Sequence, residues 1–139
     1  MRAKTQKREN EYFDNNLKDP KRIYEILESL FQMSSWSEKY IYMIALTEDD
    51  DIQGVFEILY GEENAFSIYP EKDLSQSLLH RVSDVMLVQN HPDGSAIPSE
   101  EDLLITEKMN EICKNRGICL FDHVIIANGY YSFRENNVI

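Results

Sequence analysis

The chain has 139 residues, of which 42% are hydrophobic and 28% are charged, a composition typical of one soluble globular domain. Its formal net charge of −11 disfavours direct binding to nucleic acid, because phosphate contacts need clustered Lys and Arg. The sequence lacks the roughly 18 consecutive apolar residues that span a bilayer and the apolar core of a secretory signal, so we expect a cytoplasmic protein without a membrane segment.

The N-terminal part predicts a loose segment followed by a helix. Residues 1–18 are polar and charged, and we expect them to lead into a single domain over residues 19–139. Asp19 is the predicted N-cap of the first helix, with Pro20 at its first helical position. Apolar residues at helical spacing continue this helix to about Met33.

The middle of the chain predicts strands and one further helix. Apolar and β-branched runs indicate a central strand over residues 40–47, its hairpin partner over residues 53–60, and a short strand over residues 65–69. Apolar residues at helical spacing then predict a second helix from Leu74 to Val82.

The C-terminal part alternates strands with a third helix. That helix is predicted to begin at Ser99 and to reach about Arg116, with Gly117 as its C-cap. Asn128 and Gly129 suit a hairpin turn. The predicted strands of this part cover residues 85–88, 118–121, 124–127 and 130–133. The sequence therefore predicts an α/β domain with a single mixed β-sheet flanked by helices.

The residues best suited to metal binding or catalysis follow the strand over residues 85–88. They lie in the segment Gln-Asn-His-Pro-Asp-Gly, which begins at Gln89. His91 is presented at the end of a buried strand, which suits a metal ligand, and Asp102 in the next helix can point towards the same loop. Ser99 projects its hydroxyl from the start of that helix. Glu57 lies among apolar residues of the hairpin, where desolvation would raise its pKa and suit a general base.

Each of these residues also has a purely structural interpretation. Ser99 and Asp102 have the spacing of a capping box, in which a serine and an acidic residue satisfy the first N–H groups of a helix. His91, beside Pro92 and a glycine, is typical of a turn. Glu57 alternates with apolar neighbours and could face solvent on the hairpin.

The order and spacing of these residues resemble a known family. Glu57, Asn-His-Pro-Asp-Gly around His91, Pro-Ser-Glu-Glu-Asp ending at Asp102, and Asp-His at Asp122 follow one another in the pattern of the RadC-like JAB/MPN domains. The resemblance covers the chain from about Asp19 to its end. It implies a cytidine-deaminase-like α/β fold.

The resemblance also implies a zinc site of the JAMM type, in which two histidines and an aspartate hold the metal. His91 and Asp102 match two of these ligands. Glu57 matches the glutamate that deprotonates the zinc-bound water, and Ser99 matches the serine that supports the tetrahedral intermediate. Gln89 stands at the position of the first histidine, and its neutral amide is a poor zinc ligand. We therefore expect zinc to be held weakly, with Gln89 or a water completing the site.

Two functions follow from this comparison. The first is a zinc-dependent hydrolase of the metallopeptidase type with a degenerate site, and the alternative is a catalytically inactive MPN-type module for protein binding or scaffolding. Both predict a protein or peptide partner, and exposed edge strands favour a homodimer. The family is associated with DNA repair, although the acidic charge disfavours direct DNA contact. We expect His80 to face solvent and His123 to form a structural pair with Asp122.

Overall fold

The computed structural model describes residues 17–58, 60–61, 64–68 and 81–139. Two α-helices lie in this part of the chain, α1 (Pro20–Phe31) and α2 (Glu100–Asn115), together with a 3-10 turn at Met33–Ser35. The strands are β1 (Ile41–Thr47), β2 (Ile52–Glu57), β3 (Tyr60–Gly61), β4 (Asn64–Ile68), β5 (Val82–Asn90), β6 (Cys119–Ala127) and β7 (Gly129–Ser132).

Five of the strands form one mixed sheet in the order β2-β1-β5-β6-β7. All neighbouring pairs are antiparallel except β5 and β6, which run parallel. Parallel neighbours need a crossover connection, and α2 supplies it between β5 and β6. Strands β3 and β4 pair separately. The predicted α/β class with a single mixed sheet and flanking helices is confirmed.

Apolar side chains cover the two faces of the sheet with different helices. On one face, Ile41 and Met43 of β1 pack with Ile105 and Met109 of α2. On the other face, Ile44 of β1 packs with apolar residues of α1. Successive residues of a strand point to opposite faces. The side chain of each residue near the end of β1 or β5 therefore lies on either the α1 face or the α2 face of the sheet.

Local sequence accounts for both helix starts. The Asp19 carboxylate accepts hydrogen bonds from the N–H groups of Lys21 and Arg22, and Pro20 is the first residue of α1. Ser99 is the N-cap of α2 in a complete capping box with Asp102. None of the helices in the described residues is long and apolar enough to span a membrane.

Three predictions about individual elements need correction or lie outside the structure. Val82 begins β5 and does not end a helix, and the rest of the predicted second helix, with His80, lies outside the described residues. The prediction of two separate strands over residues 118–121 and 124–127 is wrong, because β6 runs unbroken from Cys119 to Ala127. The lead-in over residues 1–16 also lies outside the described part of the chain.

Candidate functional site

The end of β5 and the first turn of α2 form the candidate site. Gln89 of β5 pairs with Ile41 of β1, whose side chain belongs to the core under α2, so the Gln89 side chain lies on the α2 face. His91 follows β5, and its backbone N–H donates to the carbonyl oxygen of Ile126 at 2.9 Å. The side chains of Gln89, His91 and Asp102 come within hydrogen-bond distance of one another.

Asp102 is the centre of this arrangement and is completely buried. Its Oδ1 accepts hydrogen bonds from Lys39 Nζ at 3.1 Å and from Gln89 Nε2 at 2.8 Å. Its Oδ2 accepts from the Ser99 backbone N–H at 2.8 Å and lies 2.9 Å from His91 Nε2. An ionised carboxylate offers about four acceptor positions, and here protein donors occupy all of them. We call these five residues the Asp102 corner.

These contacts also fix the charge of Asp102. Burial alone would raise the pKa of its carboxyl group. The hydrogen bonds from His91, from the Ser99 N–H and from Gln89, together with the positive charge of Lys39, outweigh burial and hold the pKa of Asp102 well below its usual range. Asp102 is therefore a carboxylate at neutral pH.

The partners of His91 determine its protonation. Its Nδ1 lies 2.7 Å from the carbonyl oxygen of Ser95, which can only accept, so Nδ1 carries a proton. Its Nε2 lies 2.9 Å from the Asp102 carboxylate, which accepts, and 3.0 Å from the Gln89 amide nitrogen, which donates. Because the carboxylate is charged and the amide is neutral, the carboxylate has the stronger effect and favours a proton on Nε2. The hydrogen bond to Asp102 raises the pKa of His91 despite partial burial. The contact with Asp102 thus favours the imidazolium form of His91, paired with the Asp102 carboxylate.

Gln89 connects this pair to a second histidine. The group that faces Asp102 must be the amide nitrogen, since a carboxylate accepts and does not donate. The carbonyl Oε1 of Gln89 therefore faces His123 and accepts from its Nε2 at 2.6 Å. The other ring nitrogen of His123 lies 2.6 Å from the Thr106 hydroxyl. Burial lowers the pKa of His123 to about 3, so this ring is neutral.

Comparison with known proteins identifies the family. The sequence pattern of the RadC-like JAB domain matches residues 17–138. The chain belongs to the RadC family of JAB domains. It is 31% identical over 109 residues to a UPF0758 protein of Clostridium acetobutylicum, covering 78% of this chain and 48% of the relative. It is 32% identical over 122 residues to a UPF0758 protein of Thermotoga maritima, covering 82% of this chain and 55% of the relative.

A third relative gives the same picture of partial coverage. The chain is 34% identical over 101 residues to a UPF0758 protein of Streptococcus suis, covering 72% of this chain and 41% of the relative. The chain thus spans about half the length of the curated relatives it matches.

The RadC resemblance implies zinc, but the donors of the Asp102 corner do not fit that ion. A zinc ligand must present a lone pair. His91 Nε2 carries a proton, Gln89 presents an N–H group, and the Lys39 ammonium lies against the carboxylate that would bind the metal. Within the described residues, no group of three or more His, Cys, Asp or Glu side chains is arranged to hold a metal ion.

Glu57, which matches the base of the RadC signature, is not brought to this corner. Glu57 pairs with Tyr42 across β1 and β2, and Tyr42 packs on the α1 side of the sheet, opposite to Gln89. Its neighbours Phe56 and Ile58 are the residues that pack into the core on the α2 side. The β2 side chains that share the face of the Asp102 corner are therefore apolar, and the exposed Glu57 carboxylate lies on the other face.

Ser99, the match to the serine of the RadC signature, serves as a helix cap here. Its Oγ accepts from the Asp102 backbone N–H at 3.1 Å, and its own N–H donates to Asp102 Oδ2. Both halves of the predicted capping box are present. The contact of Ser99 with the Asp102 carboxylate is therefore made by its backbone N–H group, while its hydroxyl caps the helix.

Two residues of the site were not identified from the sequence. Lys39 precedes β1 and donates to Asp102, 63 positions further along the chain. Asn90 is completely buried, its Oδ1 accepts from the Tyr40 N–H at 2.7 Å, and its Nδ2 donates to the Glu38 carbonyl oxygen at 2.8 Å. The Asn90 side chain thus fixes the backbone on both sides of Lys39. The position of Asn90 inside the RadC-like motif was the one sequence feature that could have indicated its role.

Proposed function

We propose that this RadC-like JAB domain is a metal-free protein-binding module and not a zinc hydrolase. The observation that carries the proposal is the saturation of the Asp102 carboxylate by Lys39, Gln89, His91 and the Ser99 N–H. In this arrangement, two cationic side chains already supply the positive charge that a bound metal would bring to Asp102.

Binding of zinc would require three costly changes in the Asp102 corner. His91 would lose a proton that its contacts with Ser95 and Asp102 stabilise. The Gln89 amide would have to turn over, which would break its hydrogen bonds to Asp102 and His123. The Lys39 ammonium would remain next to a divalent cation or move into solvent. Loss of each buried, charge-assisted hydrogen bond costs about 1.5–3 kcal/mol.

Hydrolysis would also need a base that the described residues do not offer. A general base must come within hydrogen-bond reach of the water that it deprotonates. Glu57 lies on the opposite face of the sheet, and its neighbours on the face of the Asp102 corner are Phe56 of β2 and Ile58, which follows β2. Within the described residues, neither a third metal ligand nor a base reaches the Asp102 corner. The retained fold therefore supports a role in binding, with a protein or peptide as the proposed partner.

Metal content tests this proposal. The protein would be purified without a metal-chelating tag, incubated with zinc, desalted, and measured by elemental analysis beside a His91→Ala variant. We expect far less than one zinc per chain in the wild type and no further loss in the variant. One zinc per chain that disappears on His91→Ala would overturn the proposal and favour the hydrolase.

A further inference from the structure

Three aromatic rings surround an open cleft on the side of the sheet opposite to the Asp102 corner. The cleft has a volume of about 450 Å³ and is lined by Trp36, Ser37, Glu38, Tyr40 and Tyr42. The Tyr40 and Tyr42 rings stack with centroids 6.2 Å apart. The Trp36 ring meets both of them edge-on, at 5.5 and 6.4 Å. All three rings are half-buried and so present part of their surface to solvent.

Contacts outside the cleft hold these rings in place. The Trp36 indole N–H donates to the carbonyl oxygen of Phe31 at the end of α1. The Asn90 side chain fixes the backbone between Glu38 and Tyr40. A binding site that is ordered before its ligand arrives loses less conformational entropy on binding. Aromatic rings held at fixed angles in an open cleft are therefore suited to bind a ligand.

Carboxylates give the cleft a negative charge. Glu38 is exposed, lines the cleft, and its Oε2 accepts a hydrogen bond from the Tyr40 hydroxyl at 3.2 Å. Glu57 is exposed and pairs with Tyr42 across the two strands. The faces of aromatic rings attract cations, and nearby carboxylates add to this attraction. The cleft therefore complements a positively charged group.

We infer that the cleft of Trp36, Tyr40 and Tyr42 binds an arginine side chain of a partner polypeptide. This inference names the partner chemistry for the binding role proposed above and rests on that role. The flat guanidinium group stacks on aromatic faces and donates hydrogen bonds to a carboxylate such as Glu38. The chain uses the same chemistry internally, where the Arg134 guanidinium lies 4.1 Å from the Phe121 ring centre.

A titration followed by nuclear magnetic resonance tests the inference directly. Trp36 is the only tryptophan of the chain, so its indole N–H gives a single signal from within the cleft. The probe is a blocked tetrapeptide with one central arginine, and the control peptide carries citrulline, which replaces the guanidinium by a neutral urea. At about 0.15 M salt, we expect the arginine peptide to shift the Trp36 signal and to bind about tenfold more tightly than the citrulline peptide.

Matched variants separate the cleft from the general acidity of the protein. Glu38→Gln should weaken binding of the arginine peptide by about threefold, whereas Glu107→Gln, the same change at an exposed position on α2, should leave it unchanged. Equal binding of both peptides, absence of a shift, or equal effects of the two variants would overturn the inference. Concentration-dependent broadening of the Trp36 signal without peptide would identify a second copy of the chain as the occupant and would also overturn it.

This test is independent of the test for zinc. The peptide titration reports only the aromatic cleft, and elemental analysis reports only the Asp102 corner on the opposite face. A metal-free protein that ignores the arginine peptide would refute the inference and leave the proposed function standing. A zinc-loaded protein that binds the peptide would refute the proposed function and retain the cleft as a binding site.

Discussion

Asp102 and Asp122 are two buried carboxylates whose partners differ in charge. Asp102 accepts from Lys39 and from the His91 imidazolium, in addition to neutral donors. Among the described residues, the donors to Asp122 are all neutral, namely the Ser132 hydroxyl at 2.5 Å and the backbone N–H groups of His123 and Arg134 at 2.7 and 2.9 Å. Both residues belong to the RadC-like signature, yet Asp102 has cationic donors and Asp122 has neutral ones.

The difference is visible in the direction of the two pKa shifts. Burial raises the pKa of Asp122, and its three neutral hydrogen bonds do not fully offset that effect. Burial acts on Asp102 in the same sense, but the hydrogen bonds from cationic and neutral donors reverse the shift. Asp122 accepts hydrogen bonds from the turn after β7 and helps to fix it. Asp102 instead holds Lys39 and His91 at the place where the RadC resemblance implies a metal.

The largest expected effect is on stability when each aspartate is truncated. Asp102→Ala should lower the free energy of unfolding by about 3–5 kcal/mol, because it removes the buried carboxylate that accepts from both Lys39 and His91. Asp122→Ala should lower it by about 1–3 kcal/mol, because it leaves only neutral donors unsatisfied. Urea unfolding at neutral pH measures both values. Equal losses would mean that the charge of the donors does not distinguish the two sites.

A smaller effect is expected on the pH dependence of stability. The raised pKa of His91 means that the folded state keeps a proton that the unfolded state has lost. This contribution is complete below the unfolded pKa of about 6.5 and is lost as pH rises through the raised folded pKa. The His91 contribution to stability should therefore be lost as the pH rises above about 6.5.

A His91→Gln variant supplies the control for that pH dependence. It should lack this loss, because no group at position 91 titrates. His123, with a folded pKa of about 3 and an unfolded pKa of about 6.5, adds the same rise in stability near pH 6.5 to both proteins, so it cancels from the difference between them. Parallel curves for the wild type and the variant would contradict the imidazolium assignment.

Local sequence patterns predicted the elements that depend on local chemistry. The β1–β2 hairpin, the mixed sheet and the capping box at Ser99 follow from apolar alternation, chain order and the preference of serine for helix starts. The resemblance to the RadC family also implied that Gln89 and Asp102 belong to one site. The structure brings them to 2.8 Å.

Features that depend on register or on distant contacts were not predictable in the same way. A shift of one residue in a strand moves a side chain to the opposite face, and this decides that Glu57 lies away from the Asp102 corner. Lys39 reaches Asp102 across 63 positions, and no local pattern connects them. Asp122 and His123 suggested an interruption between two strands, because polar residues in mid-strand are buried only when distant partners satisfy them.

Zinc titration by calorimetry tests the central claim, that the protein's own donors occupy the place of the metal. The comparison is between the wild type and a Gln89→His, Lys39→Met double variant, which replaces two of the Asp102 donors by a zinc ligand and an apolar group. We predict no saturable zinc binding to the wild type and one zinc per chain in the double variant. Saturable binding of one zinc to the wild type, or none to the double variant, would contradict the account.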